Sequence, residues 1–203
     1  MRRSIDPFLI LASLYVGLNL IAPIASTKIS VIAGVTFATG SLLIGLSLGL
    51  LDVINDWKDK ATARRVVLST VAVRALFAFV LLPLVIALPA SKMPEGFDAF
   101  LGQSTRLAFA GLVSLFIPMW YVNTPAFSWL KARMEGRWFV LRYLVISFPT
   151  FFTSNLIYGL LGFSFIAGVD LWAVIFGTLL MRMAVAVVIS PVVWLVRWVV
   201  RDG

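Results

Sequence analysis

Asp52 and Asp56, four residues apart in the stretch LLDVINDWKDKATARR, are the carboxylates best spaced for chemistry in this 203-residue chain. Residues at i and i+4 share a helical face, and Lys58, Lys60, Arg64 and Arg65 follow directly. An acidic pair beside a basic run can hold a divalent metal against a phosphate, which defines an enzyme reading. The same stretch also reads as a solvated link between two apolar segments, the usual character of a charge run. The chain has no cysteine and no histidine. That removes disulfides, thiolate nucleophiles, Ser-His-Asp triads and most zinc or haem sites. No metal and no cofactor is expected.

Two further charges stand where charge is costly. Arg74 and Arg182 each fall near the middle of a long apolar run, where a cation costs about 2.5 to 3.5 kcal/mol on insertion scales. They should face a cavity or a partner, either as ligand contacts or as clamps between helices. Asn19, Asn123, Ser147, Thr150, Thr153, Ser154, Asn155 and Tyr158 add neutral donors and acceptors in apolar surroundings. An Asn amide can pair with the edge of a heterocyclic base or bridge two helices; Asn123 and Asn155 are the preferred ligand contacts. Trp120 and Tyr121 offer a stacking face to a planar ligand.

The elements that must position these groups are membrane helices. The sequence is 61% hydrophobic and 13% charged, against about 25% charged in soluble domains, and a helix needs roughly 20 apolar residues to cross a bilayer. Hydropathy predicts one all-α membrane domain over 1–203, with six spans at about 7–25, 30–54, 66–88, 106–127, 139–167 and 171–197. The first is expected to be retained rather than cleaved.

With a cytoplasmic amino terminus, twelve Lys and Arg fall inside and three outside (Lys28, Lys92 and Arg106), with Arg74 and Arg182 in the spans. This asymmetry predicts both termini inside at the inner membrane, and assigns the net charge of +8 to topology rather than nucleic acid. Pro23, Pro83, Pro118, Pro149 and Pro191 lie in or near five spans, where each removes a backbone hydrogen bond. Gly45 and Gly49 form a close-packing Gly-x-x-x-Gly. Residues 88–104 form the longest loop, a connector or lid.

The order of motifs resembles the queuosine precursor transporter family, also called the vitamin uptake transporter family, over nearly the whole chain. LYVGLNLIAPIASTKIS is similar to its first span, with Lys28 keeping the family Lys and Pro23 in the Asn place. GVTFATGSLLIGLSLGLLDVINDWKDKATARRVV follows its G-x5-G, D-x-x-x-E and A-R order through Asp52, Ala63 and Arg64, with Asp56 for Glu. In MWYVNTPAFSWLK, Trp120 falls on the family Gln and Asn123 on an Asp. In TFFTSNLIYG, Ser154 and Asn155 fall on Ser-Gln, and Tyr158 on a second Asp. RMAVAVVISPVVW keeps K-x7-T-P-x-x-Y, with Arg182 for Lys, Ser190-Pro191 for Thr-Pro and Trp194 for Tyr.

The resemblance implies a six-helix importer shaped like the substrate-binding subunits of energy-coupling-factor transporters, taking a queuosine precursor, preQ0 or preQ1. Asn123, Ser154 and Asn155 would contact a planar base, with Arg182 and Arg74 supplying fixed positive charge and Trp120, Tyr158 and Lys28 nearby. Asp52, Asp56, Arg64 and Pro191 would serve gating or structure. The runner-up is a substrate-binding subunit for another vitamin or purine-like ligand, dependent on an energising partner; a homo-oligomer is also open. The phosphotransferase ranks behind both. Membrane phosphotransferases with paired metals carry D-x-x-D-G-x-x-A-R followed by G-x-x-x-D-x-x-x-D, and here the Asp-Gly and the second acidic pair are missing.

Overall fold

The computed structural model describes residues 6–88, 94–166 and 168–202. Arg2, Arg3 and Lys92, three charges used in the topology count, lie outside the described residues. The chain begins with α1 (Pro7–Ala25), which Asp6 caps by accepting from the Phe8 amide, with Pro7 in the first turn where its missing N–H costs nothing. An antiparallel hairpin follows, β1 (Ile29–Ile32) and β2 (Val35–Ala38), with Ile29 opposite Ala38 and Ile32 opposite Val35. Then come α2 (Ser41–Trp57) and α3 (Lys60–Leu76). A π-helical turn (Phe77–Leu81) joins α3 to α4 (Leu82–Ala87). A second π-helical turn (Pro118–Asn123) joins α5 (Phe97–Ile117) to α6 (Thr124–Arg133). α7 (Phe139–Gly162) and α8 (Leu171–Asp202) complete the chain.

The result is an all-α membrane protein with one small hairpin. Among the described residues five helical stretches are long and apolar enough to span a bilayer: 7–25, 60–87, 97–133, 139–162 and 171–201. The sixth, α2, has 17 residues, about 26 Å at 1.5 Å per residue. Yet every residue from Ser47 to Asp56 is buried, so the other helices wrap around α2 and its charges lie inside protein. Large apolar side chains such as Leu14, Phe79, Phe148 and Val188 cover the outside, as a lipid-facing surface requires. Trp129, Trp138, Trp172 and Trp198 are exposed near helix ends, positions that suit interfacial rings.

The expected second span, 30–54, is corrected: its first third is the hairpin. Ile29–Ile32 and Val35–Ala38 are rich in β-branched and aromatic residues, which favour strands. Ala33 and Gly34 between them both take positive φ, the requirement of a two-residue hairpin turn. β2 packs against α8, burying Phe37 and Ala38, and the Thr178 hydroxyl accepts from the Ala38 amide at 3.1 Å. Non-helical backbone at membrane depth survives when protein covers it in this way.

Other boundaries also move. The fourth span starts at Phe97 rather than 106 and runs to Arg133, so much of the expected 88–104 loop is helix. The third begins at Lys60, the fifth ends at Gly162, and the last extends to Asp202. Pro118 sits at a π-helical turn and Pro83 directly after one; a wider turn accommodates the hydrogen bond that proline removes.

Asp59 sets the start of α3. Its carboxylate accepts from the Thr62 amide at 2.7 Å and from the Thr62 hydroxyl at 3.2 Å, and the amide contact holds its carboxyl below the usual carboxylate range. Asp59→Ala should cost about 1 kcal/mol in a thermal melt in detergent at neutral pH. Because the folded carboxyl titrates low, the cap contributes fully above the ordinary carboxylate range and fades as pH falls through the lowered value. The gap between parent and variant should therefore narrow in acid.

Candidate functional site

A narrow polar cavity lies inside the half of the bundle that carries the hairpin. It is bounded by the end of α1 (Ala22, Pro23, Ser26), Ile44 of α2, Arg74 of α3, Gly111, Ser114 and Leu115 of α5, Met119 of the second π-helical turn, Ser154 and Tyr158 of α7, and Arg182 of α8. The cavity volume is about 10 Å³. That is room for a single water, so a larger ligand enters only when the helices part.

Both intramembrane arginines face this cavity, and both are almost fully buried, Arg74 2% and Arg182 3% exposed. Arg74 donates through Nη1 to the Gly111 carbonyl. It can do so because position 111 has no side chain: a Cβ there would sit 2.9 Å from Arg74 Nη2. Arg182 donates through Nη1 to Ser154 Oγ at 3.1 Å, and its guanidinium lies 5.8 Å from the Phe151 ring. The Nε of each arginine has no hydrogen-bond partner among the described residues. Neither arginine has a carboxylate within ion-pair distance there, since every described salt bridge belongs to Asp56. The Tyr158 hydroxyl is buried on the same wall, with the Ser26 hydroxyl as its neighbour.

Of the residues singled out in the sequence, Arg74, Ser154, Tyr158 and Arg182 meet on this cavity. Asn123, Asn155, Trp120 and Lys28 do not line it. Asn155 is buried, and neither of its amide atoms has a hydrogen-bond partner among the described residues. Asn123 is buried beside Asp52, which also feels the charges of Arg142 and Asp56 and lies near Tyr15 and Tyr143. Trp120 packs over Arg64, whose guanidinium is 4.8 Å from the ring and donates to the Trp120 carbonyl at 3.0 Å. Lys28 is exposed where the hairpin begins, and its carbonyl accepts from the Thr39 amide. Ser26, Gly111 and Ser114 were not singled out; small neutral residues in an apolar run carry no sequence signal of a cavity.

The opposite end of the bundle holds an ionic cluster. Asp56 accepts from Arg142 Nη2 at 2.8 Å, from Arg197 Nε at 2.8 Å and from Arg201 Nη1 at 3.4 Å, tying α2 to α7 and α8. Lys131 adds its ammonium to the Asp56 carbonyl at the end of α2, where the helix dipole favours a cation. Asp52 is fully buried and Arg64 engages the second π-helical turn, so the two do not pair with each other. Pro191 lies within α8 on an exposed side. With both Asp56 oxygens held by arginines, a metal shared by Asp52 and Asp56 has lost its second ligand. Among the described residues no other trio of acids, His or Cys could hold one.

The family described as "Putative vitamin uptake transporter" matches residues 38–196, a range that takes in α2 through most of α8 and all of the cavity except its α1 wall. No curated protein and no solved structure matches the chain.

Proposed function

Because the chain belongs to the vitamin uptake transporter family, we propose that it is an importer of a queuosine precursor, a 7-deazaguanine base, which it binds in the cavity between α1, α5, α7 and α8. The observation that carries this reading is convergence. Ser154, Tyr158 and Arg182 come from two different motifs of the resemblance, and they line one buried space together with Arg74. A bicyclic base has a carbonyl and ring nitrogens along its edges; hydroxyls and guanidinium N–H groups are suited to such acceptors. The protein sits in the inner membrane with the Asp56 end in the cytoplasm, because Lys58, Lys60, Arg64, Arg65 and the basic residues of 131–142 gather there.

Transport follows from the closed state. The cavity is too small for a base as it stands, so the walls separate to admit ligand from the hairpin side and then open toward the Asp56 side, in the manner of helices rocking around a fixed site. The π-helical turns at 77–81 and 118–123 are the weak points of the ladder where such a motion can bend the helices.

Expression in a strain unable to make preQ0, supplied with external precursor, should restore queuosine in its tRNA. Ser154→Ala should slow uptake by about tenfold, the worth of a hydrogen bond to a charged group, with membrane levels unchanged. Well-expressed protein that restores no queuosine overturns the substrate.

A further inference from the structure

The cavity holds two cations and no acid. Arg74 comes from α3 and Arg182 from α8, and they share one enclosed space. Each spends one hydrogen bond on the protein, to the Gly111 carbonyl and to Ser154 Oγ, out of the five N–H donors a guanidinium carries. Guanidinium stays protonated in proteins. The ionisable neighbours of Arg74 are Tyr15 and Tyr158, and those of Arg182 are Tyr158 and Arg74 itself. Asp52, a fully buried carboxylate that makes no salt bridge among the described residues, is set among Asn123, Tyr15, Tyr143 and the charges of Arg142 and Asp56 and does not line the cavity. Two like charges confined this way repel each other until an anion comes between them.

We infer that the ligand of this cavity presents an anionic group, a carboxylate, to the Arg74 and Arg182 guanidiniums. A planar carboxylate offers two oxygens to the fork of N–H donors, and the Ser26 and Ser154 hydroxyls on the cavity wall supply neutral donors for the rest of the molecule. A ligand with a protonated amine is rejected by the same pair, because it would bring a third positive charge into a space without a carboxylate. The inference rests on the cavity being the transport site of a vitamin importer. Joined to the base reading, it selects a 7-deazaguanine whose 7-substituent is a carboxylate over one bearing an aminomethyl group.

The test uses the purified full chain in detergent, read by tryptophan fluorescence titration. The probes are 7-carboxy-7-deazaguanine, 7-aminomethyl-7-deazaguanine, and two carboxylates without a purine ring, biotin and pantothenate. The carboxylated base should bind at least tenfold more tightly than the aminomethyl base. Arg182→Gln and Arg74→Gln should each remove that preference, whereas Arg182→Lys should retain part of it, all three eluting as monodisperse protein. Stronger binding of the aminomethyl base, or a preference untouched by either Gln variant, overturns the inference and leaves the base reading standing. Arginine-dependent binding of biotin or pantothenate with no deazaguanine bound supports the anion and removes the base. Binding of none of the four probes overturns both. The wild-type comparison decides the matter even where a Gln variant fails to fold.

Discussion

Replacing Asp56 with asparagine is expected to destabilise the protein by about 3 to 5 kcal/mol, the cost of leaving a buried charge without its partner. Arg142 is the reason. It is fully buried, and Asp56 is its only carboxylate partner among the described residues; its other bonds run to the carbonyls of Gly136 and Arg137. Arg197 is partly exposed, so water can compensate it and Arg197→Gln should cost less than half as much. Adding Arg142→Met to Asp56→Asn should recover part of the loss, because the uncompensated charge leaves with it. Tryptophan-monitored melts in detergent read all four proteins. An Asp56→Asn variant that melts with the parent would show that the cluster does not hold α2, α7 and α8 together.

The second large effect is steric. A Cβ on Gly177 would lie 2.0 Å from the Thr36 carbonyl oxygen, and the obstacle is strand backbone, which cannot swing aside as a side chain can. Gly177→Val should therefore push the hairpin off α8 and cost about 3 kcal/mol, the upper part of the overpacking range. Limited proteolysis should then cut within 29–38 while the parent resists. Gly17→Ala is the control: nothing lies within 4 Å of a Cβ there, and alanine favours the helix, so its melt should equal or exceed that of the parent.

Hydropathy located the helices because membrane burial demands long apolar runs, and composition alone carries that signal. The same signal hid the hairpin. ISVI and VTFA are apolar enough to merge into the run that follows, and only the β-branched residues flanking Ala33-Gly34 marked them as strands. Arg74 and Arg182 were visible because a cation in an apolar run has few reasons to be there. Their common cavity was not, since 108 positions of chain separate α3 from α8 at these residues and no local pattern spans such a distance. Asn123 shows a different failure. It closes the π-helical turn that begins at Pro118, so the 3.6-residue phase read along α5 does not carry through to it, and it meets Asp52 rather than the cavity wall. The pairing of Asp56 with three arginines was invisible for the same reason of distance.

That distance has a consequence for biogenesis. Asp56 precedes Arg142 by 86 residues and Arg197 by 141, so ribosomal synthesis places its carboxylate in the insertion machinery long before either partner exists. During that interval the carboxylate must stay in contact with water or lipid headgroups, and the end of α2 cannot settle to its final depth. α8, made after every other element of the cluster, is the one that closes it. A nascent chain interrupted before α8 would therefore have Arg142 on one Asp56 oxygen and neither Arg197 nor Arg201 on the other, a mark by which membrane quality control can tell an unfinished bundle from a complete one.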